Sequence, residues 1–172
     1  MAQIYGQMAE SRSRMCCMSR ASSAVKTGGR PRGPGHESGR ELGLRVAAAG
    51  THELIREIEQ GLPIRVLEAL ALGMGMGLPE LAGHLGIPSR TLARRKTAGR
   101  LSPDESERVV RVARLLEKAL VLFGWDGAEA RQWLRLPKQA LAGQSPLDYA
   151  RTEIGAREVE NLLGRIEHGV FA

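Results

Sequence analysis

A chain of 172 residues that is 42% hydrophobic carries enough apolar surface for one ordinary core or two small ones. Residues 1 to 30 hold no apolar run that would serve as a signal-peptide core. The most apolar later segment, 109–123, is interrupted by Arg111, Arg114, Glu117 and Lys118, so no membrane span is expected and the cytoplasm is the expected location. Of the net charge of +6, five units fall in the first 40 residues, where Arg12, Arg14, Arg20, Lys26, Arg30, Arg32 and Arg40 face only Glu10 and Glu37.

That basic stretch, 1–41, is rich in Ser, Gly and Pro and has neither helical nor strand period. It cannot bury enough surface to offset ordering entropy, so the sequence predicts a disordered tail. One reading is a basic arm that strengthens nucleic-acid binding nonspecifically; the other is a dispensable tail from an upstream start codon. Cys16 and Cys17 are adjacent and suit neither a disulfide framework nor a zinc site, so free thiols are expected.

Order is expected from near Leu42. Thr51 is the predicted N-cap of a helix through Gln60, with Leu54, Ile55 and Ile58 on one face and Gly61 as the stop. A second helix starts near Pro63 on Ile64, Leu67, Leu70 and Ala71, widened by Val66 and Leu72. Three glycines in Gly73 to Gly77 break it, with Met74 and Met76 at the edge of the core.

The segment from Leu78 to Lys96 is the first with function in its spacing. A short helix carrying Leu81, Ala82 and Leu85 reaches Gly86, where a positive φ is expected. A second helix, predicted to be capped by Ser89, is held by Ile87 and Leu92. This plan resembles the helix-turn-helix of Xre-type regulators. Between His84 and Leu101 stand Arg90, Arg94, Arg95, Lys96 and Arg100 and no acid, a cationic face for phosphates. In the DNA reading Ser89, Arg90 and Thr91 reach base edges or phosphates, and Arg94, Arg95, Lys96 and Arg100 extend the contact. The alternative is an exposed basic face that only solubilises, or that binds an acidic protein.

Ser102-Pro103-Asp104-Glu105 predicts the start of the longest helix, ended by Gly124. Val109, Val112, Ala113, Leu116, Ala119, Leu120 and Phe123 face a core, while Val110, Leu115 and Leu122 widen the surface enough for two cores or a dimer seam. Arg108, Arg111 and Arg114 read first as a solvated face and second as a phosphate-contacting one. Asp126 caps a further helix stopped by Pro137, with Trp125 and Trp133 as core anchors. Ser145-Pro146-Leu147-Asp148 starts a short helix. The last helix buries Val159, Leu162, Leu163 and Ile166, pairs Glu153 with Arg157, and closes on Gly169.

The residues from Trp133 through Pro137, Leu141, Gly143, Ser145 to Asp148, Thr152-Glu153, Gly155 to Arg157 and Leu162 to Ala172 resemble the C-terminal toxin-binding domain of the Xre/MbcA/ParS antitoxin family. One departure is Lys138-Gln139, where such sequences often carry asparagine after the proline. The resemblance implies an all-α antitoxin of a type II toxin–antitoxin system, usually dimeric, whose partner is a RES-domain toxin that depletes NAD. It also implies repression of its own operon, with operator DNA as the second partner. Carried over residue by residue, the toxin-covering positions are Arg165, Glu167, His168, Gly169, Val170, Phe171 and Ala172.

The expected organisation is a tail over 1–41, a helix-turn-helix domain over 42–101, a connecting helix over 102–124 and a toxin-binding domain over 125–172. His168 reads more simply as a helix C-terminal histidine favoured by the dipole than as a metal ligand or base. No phosphate loop, nucleophile constellation or carboxylate cluster is present in the spacing, so no catalytic residue, metal or cofactor is expected. Two other classes fit the same residues: a stand-alone helix-turn-helix repressor, and a structural interaction module that no longer touches DNA.

Overall fold

The computed structural model describes residues 50–169. The expectations for the tail over 1–41, for order from near Leu42, for Cys16 and Cys17 and for Val170, Phe171 and Ala172 lie outside the described residues. Among the described residues the chain is all-α, with eight helices, one 3₁₀ turn and no strand: α1 (Thr51–Gln60), α2 (Ile64–Met74), α3 (Leu78–His84), α4 (Ser89–Ala98), α5 (Pro103–Leu122), α6 (Gly127–Arg135), the 3₁₀ turn Gln139–Leu141, α7 (Pro146–Tyr149) and α8 (Glu153–Glu167). None of them is by itself long and apolar enough to cross a membrane.

Everything is arranged around α5. Its start is fixed by a reciprocal cap: Ser102 Oγ accepts from the Glu105 N–H at 3.3 Å, and Glu105 Oε2 accepts from the Ser102 N–H at 2.8 Å. Twenty residues give it a length of about 30 Å, enough to contact α1, α2, α6 and α8. Val109, Val112, Ala113, Leu116 and Ala119, with Val110 and Leu115, are buried, and one continuous cluster runs through them from Leu54 to Leu163. The extra apolar width of this helix therefore serves a shared core.

Three expectations at the start of the described chain are corrected. Gly50, not Thr51, precedes α1; its carbonyl takes the N–H groups of Glu53 and Leu54, while the Thr51 side chain caps nothing. Ile55 is 46% exposed, because only Leu54 and Ile58 of that helix turn inward. Leu72 is 63% exposed, since α2 buries the stripe of Leu67, Leu70, Ala71 and Met74 instead.

Gly61 holds the α1–α2 turn against the α4–α5 turn. Its φ is +80°, and a Cβ there would run into the Leu101 carbonyl oxygen. The two turns are stitched by the Leu101 N–H to Leu62 O and the Ile64 N–H to Gly99 O, both 2.9 Å. Buried Ser106 completes the join: its hydroxyl accepts from the Leu62 N–H at 2.8 Å and donates to Ser102 O at 2.7 Å.

At the far end of α5, Trp133 is buried as expected, with Lys138 Nζ 5.4 Å from its ring centre. Trp125 is not a core anchor. It is 37% exposed with φ +68°, because two successive left-handed residues, Gly124 and Trp125, carry the chain out of α5 before Asp126 starts α6. Asp126 Oδ1 accepts from the N–H groups of Ala128 and Glu129, and Thr152 caps α8 through the Gly155 N–H at 3.1 Å.

Candidate functional site

α3 and α4 form the expected pair. Leu81 and Ala82 are buried on α3, Gly86 turns with φ +66°, and Ile87 and Leu92 seat α4 in the core. Ser89 is the first residue of α4 rather than its cap. Pro88 occupies the cap position in extended backbone and accepts the Leu92 N–H at 2.9 Å, so the Ser89 hydroxyl closes no turn.

Of the cationic set, Arg90, Arg94, Lys96 and Arg100 are exposed with Ser89, while Thr91 and Arg95 are half-buried. Among the described residues, Arg95 alone of these cations has a carboxylate partner, Glu105 at 2.7 Å. The face therefore keeps four unneutralised charges, Arg90 in the first turn of a helix N-terminus without a side-chain cap and Arg94, Lys96 and Arg100 further along α4 and its exit turn, a combination that attracts phosphate.

Long-range polar links, none of them visible in sequence spacing, tie this motif to the helices that follow and those helices to one another. From α5, Arg108 donates to Leu85 O at 3.1 Å and tethers the turn. One turn on, Arg111 donates to Glu153 at 3.1 Å and is only 16% exposed. The solvated-face reading thus fails for Arg108 and Arg111: their partners lie more than twenty residues away, where periodicity carries no information. Glu80 and His84, four apart on α3, reach Arg135 of α6 at 3.4 Å and Asp148 of α7 at 2.7 Å. Lys118 of α5 holds Glu160 of α8 at 2.7 Å.

Asp148 takes the Ser145 hydroxyl at 2.6 Å as well as the His84 ring. Burial alone would raise its carboxyl. The Ser145 and His84 hydrogen bonds and the charges of His84 and Arg151 outweigh that and hold it below the ordinary aspartate range. A folded value below the unfolded one adds stability above the unfolded pKa, which is lost as pH falls through the folded value. Asp148→Asn is therefore expected to be less stable than the parent at about pH 7, with a narrower gap at about pH 3, where the aspartate begins to be protonated and so, like asparagine, uncharged. Denaturant melts at the two pH values check this, and a gap of equal size at both would contradict it.

At the other end of the chain α8 buries Val159 and Leu163, with Leu162 and Ile166 packed at the edge. Arg165 is held to Glu158 at 3.2 Å, whereas Glu167, His168 and Gly169 are exposed. Gly169 has φ +65° and its N–H returns to Ile166 O at 3.3 Å, closing the helix as the sequence predicted. The structure thus presents two separate surfaces: the basic outer face of α4, and the exposed end of α8 carrying four of the seven residues expected at a toxin.

Comparison with known proteins accounts for both halves. The model of the antitoxin Xre-like helix-turn-helix domain matches residues 53–114, and that of the antitoxin Xre/MbcA/ParS C-terminal toxin-binding domain matches residues 118–169, so the two matches meet within α5. A protein named Antitoxin Xre from Yersinia enterocolitica is 42% identical over 134 residues, covering 77% of this chain and 89% of its own. Another Antitoxin Xre, from Photorhabdus laumondii, is 34% identical over 127 residues, covering 73% and 85%. A Sphingobium protein named Prs ADP-ribosylating antitoxin is 36% identical over 80 residues, covering 42% and 50%.

Proposed function

The chain belongs to the Xre family of antitoxins, with a helix-turn-helix and a toxin-binding domain, and from that premise we propose that it neutralises a RES-domain toxin that depletes NAD. The end of α8 covers the entrance to the toxin's active site. Arg165, Glu167, His168 and Gly169 supply the polar rim, and Val170, Phe171 and Ala172 supply the apolar plug. The observation that carries this reading is the match to the toxin-binding family, which runs to the exposed cap at Gly169. A capped helix adds little ordering cost on binding, because its geometry is fixed before the partner arrives.

The basic face of α4 gives the protein its second role, repression of its own operon as a homodimer in the cytoplasm. Ser89, Arg90 and Thr91 reach base edges at the helix N-terminus, and Arg94, Arg95, Lys96 and Arg100 track the phosphates.

The name of the Sphingobium relative favours a second toxin chemistry, transfer of ADP-ribose to a protein. Both chemistries consume NAD, since ADP-ribosylation takes its ADP-ribose from that molecule. Expressing the neighbouring toxin gene alone and then together with this chain separates them. An NAD-depleting toxin empties the cellular NAD pool with no modified protein, and a transferase leaves an ADP-ribosylated target. In either case co-expression is expected to restore growth and to yield a co-purifying complex. Failure of both growth rescue and co-purification would contradict the proposal.

A further inference from the structure

We propose that Glu105 is a positioning residue that fixes Arg95 as a preset clamp for one DNA phosphate; the inference rests on the reading of α4 as the DNA-binding helix. Glu105 lies at the start of α5, not on the helix-turn-helix, and its side chain is only 9% exposed. The same oxygen, Oε2, accepts from the Ser102 N–H at 2.8 Å and from Arg95 Nε at 2.7 Å. The α5 cap therefore fixes the carboxylate, and the carboxylate fixes the arginine. Burial alone would raise this carboxyl, but the bonds from Ser102 and Arg95 outweigh it and keep the group ionised at neutral pH.

A guanidinium has two hydrogen-bonding edges, and Glu105 occupies only the Nε side. Among the described residues the two terminal nitrogens of Arg95 have no partner, so its end-on pair of N–H donors remains for a phosphate, which takes such a pair bidentately. The side chain is 22% exposed, whereas its neighbours Arg94 and Lys96 are exposed, so it has already lost rotamer freedom on folding. It also sits in the C-terminal half of α4, away from the residues at the helix N-terminus that read base edges.

The sign of one substitution distinguishes positioning from bulk electrostatics. Removing a negative charge near DNA should strengthen binding if Glu105 acts only through its field. If it positions Arg95, Glu105→Gln should weaken binding several-fold while leaving the salt dependence intact, because the arginine charge is still there. The test is titration of the full chain with duplex DNA from its own upstream region between about 50 and 200 mM salt. Arg95→Gln is expected to lose on the order of tenfold in affinity and to flatten the slope of log affinity against log salt by about 0.9, one phosphate contact. Arg157→Gln, an equal charge loss on α8, should leave the slope unchanged. Adding Glu105→Gln to Arg95→Gln should cost nothing more. An Arg95→Gln variant that melts earlier but keeps the parent slope, or a Glu105→Gln variant that binds more tightly, would overturn the clamp alone. An intact chain that binds no duplex at low salt would overturn the DNA reading and the clamp with it.

Discussion

Gly155→Ala is expected to cost on the order of 4 kcal/mol of stability, although alanine is the better helix former. In an open helical position the exchange would gain about 1 kcal/mol. Gly155 lies in the first turn of α8, where a Cβ would overlap the Tyr149 carbonyl oxygen and stand 2.9 Å from its carbon. The obstacle is backbone, and it cannot swing aside: Tyr149 ends α7, whose Pro146 and Leu147 are buried, and buried Ala150 follows. Moving it would also pull Thr152 from the Gly155 N–H that it caps and Asp148 from His84.

The same helix holds its own control. Gly164 has nothing within 4 Å of where a Cβ would stand, so Gly164→Ala should stabilise by about 1 kcal/mol. Thermal or denaturant melts of the two variants should move in opposite directions. A Gly155→Ala protein as stable as the parent would contradict the packing of α7 against α8.

Most of the helices are legible in the residues because their signals are local. Ser102-Pro103 with Glu105, Asp126, Ser145-Pro146 and Thr152 each place an oxygen where the first turn leaves N–H groups unpaired, and each caps its helix. The apolar stripe of α8 and the left-handed turn at Gly86 are equally local. Thr51 and Ser89 carry the same chemistry but sit one residue inside the helix, where Gly50 and Pro88 already supply the extended backbone. Trp125 and Leu72 are exposed against expectation because hydrophobicity says that a residue favours burial but not whether its position has neighbours.

What spacing cannot carry is distance in three dimensions. Arg95 reads as one more cation on a basic helix, and only the fold brings Glu105 to it. Arg108 and Arg111 read as a solvated face, yet they tie α5 to the Leu85–Gly86 turn and to α8. The basic face and the helix end were legible as types of surface. The ties of α3 to α7 and α6 through His84–Asp148 and Glu80–Arg135 were not.

The second large effect concerns the toxin. Deleting Val170 to Ala172 is expected to abolish neutralisation with no loss of fold, since the core of α8 closes at Leu163 and Ile166 and its cap at Gly169. Burying a phenylalanine side chain contributes about 1.5–3 kcal/mol, and a central interface anchor about 2 or more, so toxin affinity should fall on the order of a hundredfold. Promoter binding should be unaffected, because the cationic residues proposed to contact DNA lie on α4 and its exit turn.

The most direct measurement is growth of cells expressing the toxin with either the intact chain or the chain lacking Val170 to Ala172, with melting temperature and promoter affinity measured on both proteins. The account predicts rescue by the intact chain alone, with equal melting temperatures and equal DNA affinity. Equal rescue by the shortened chain would contradict it.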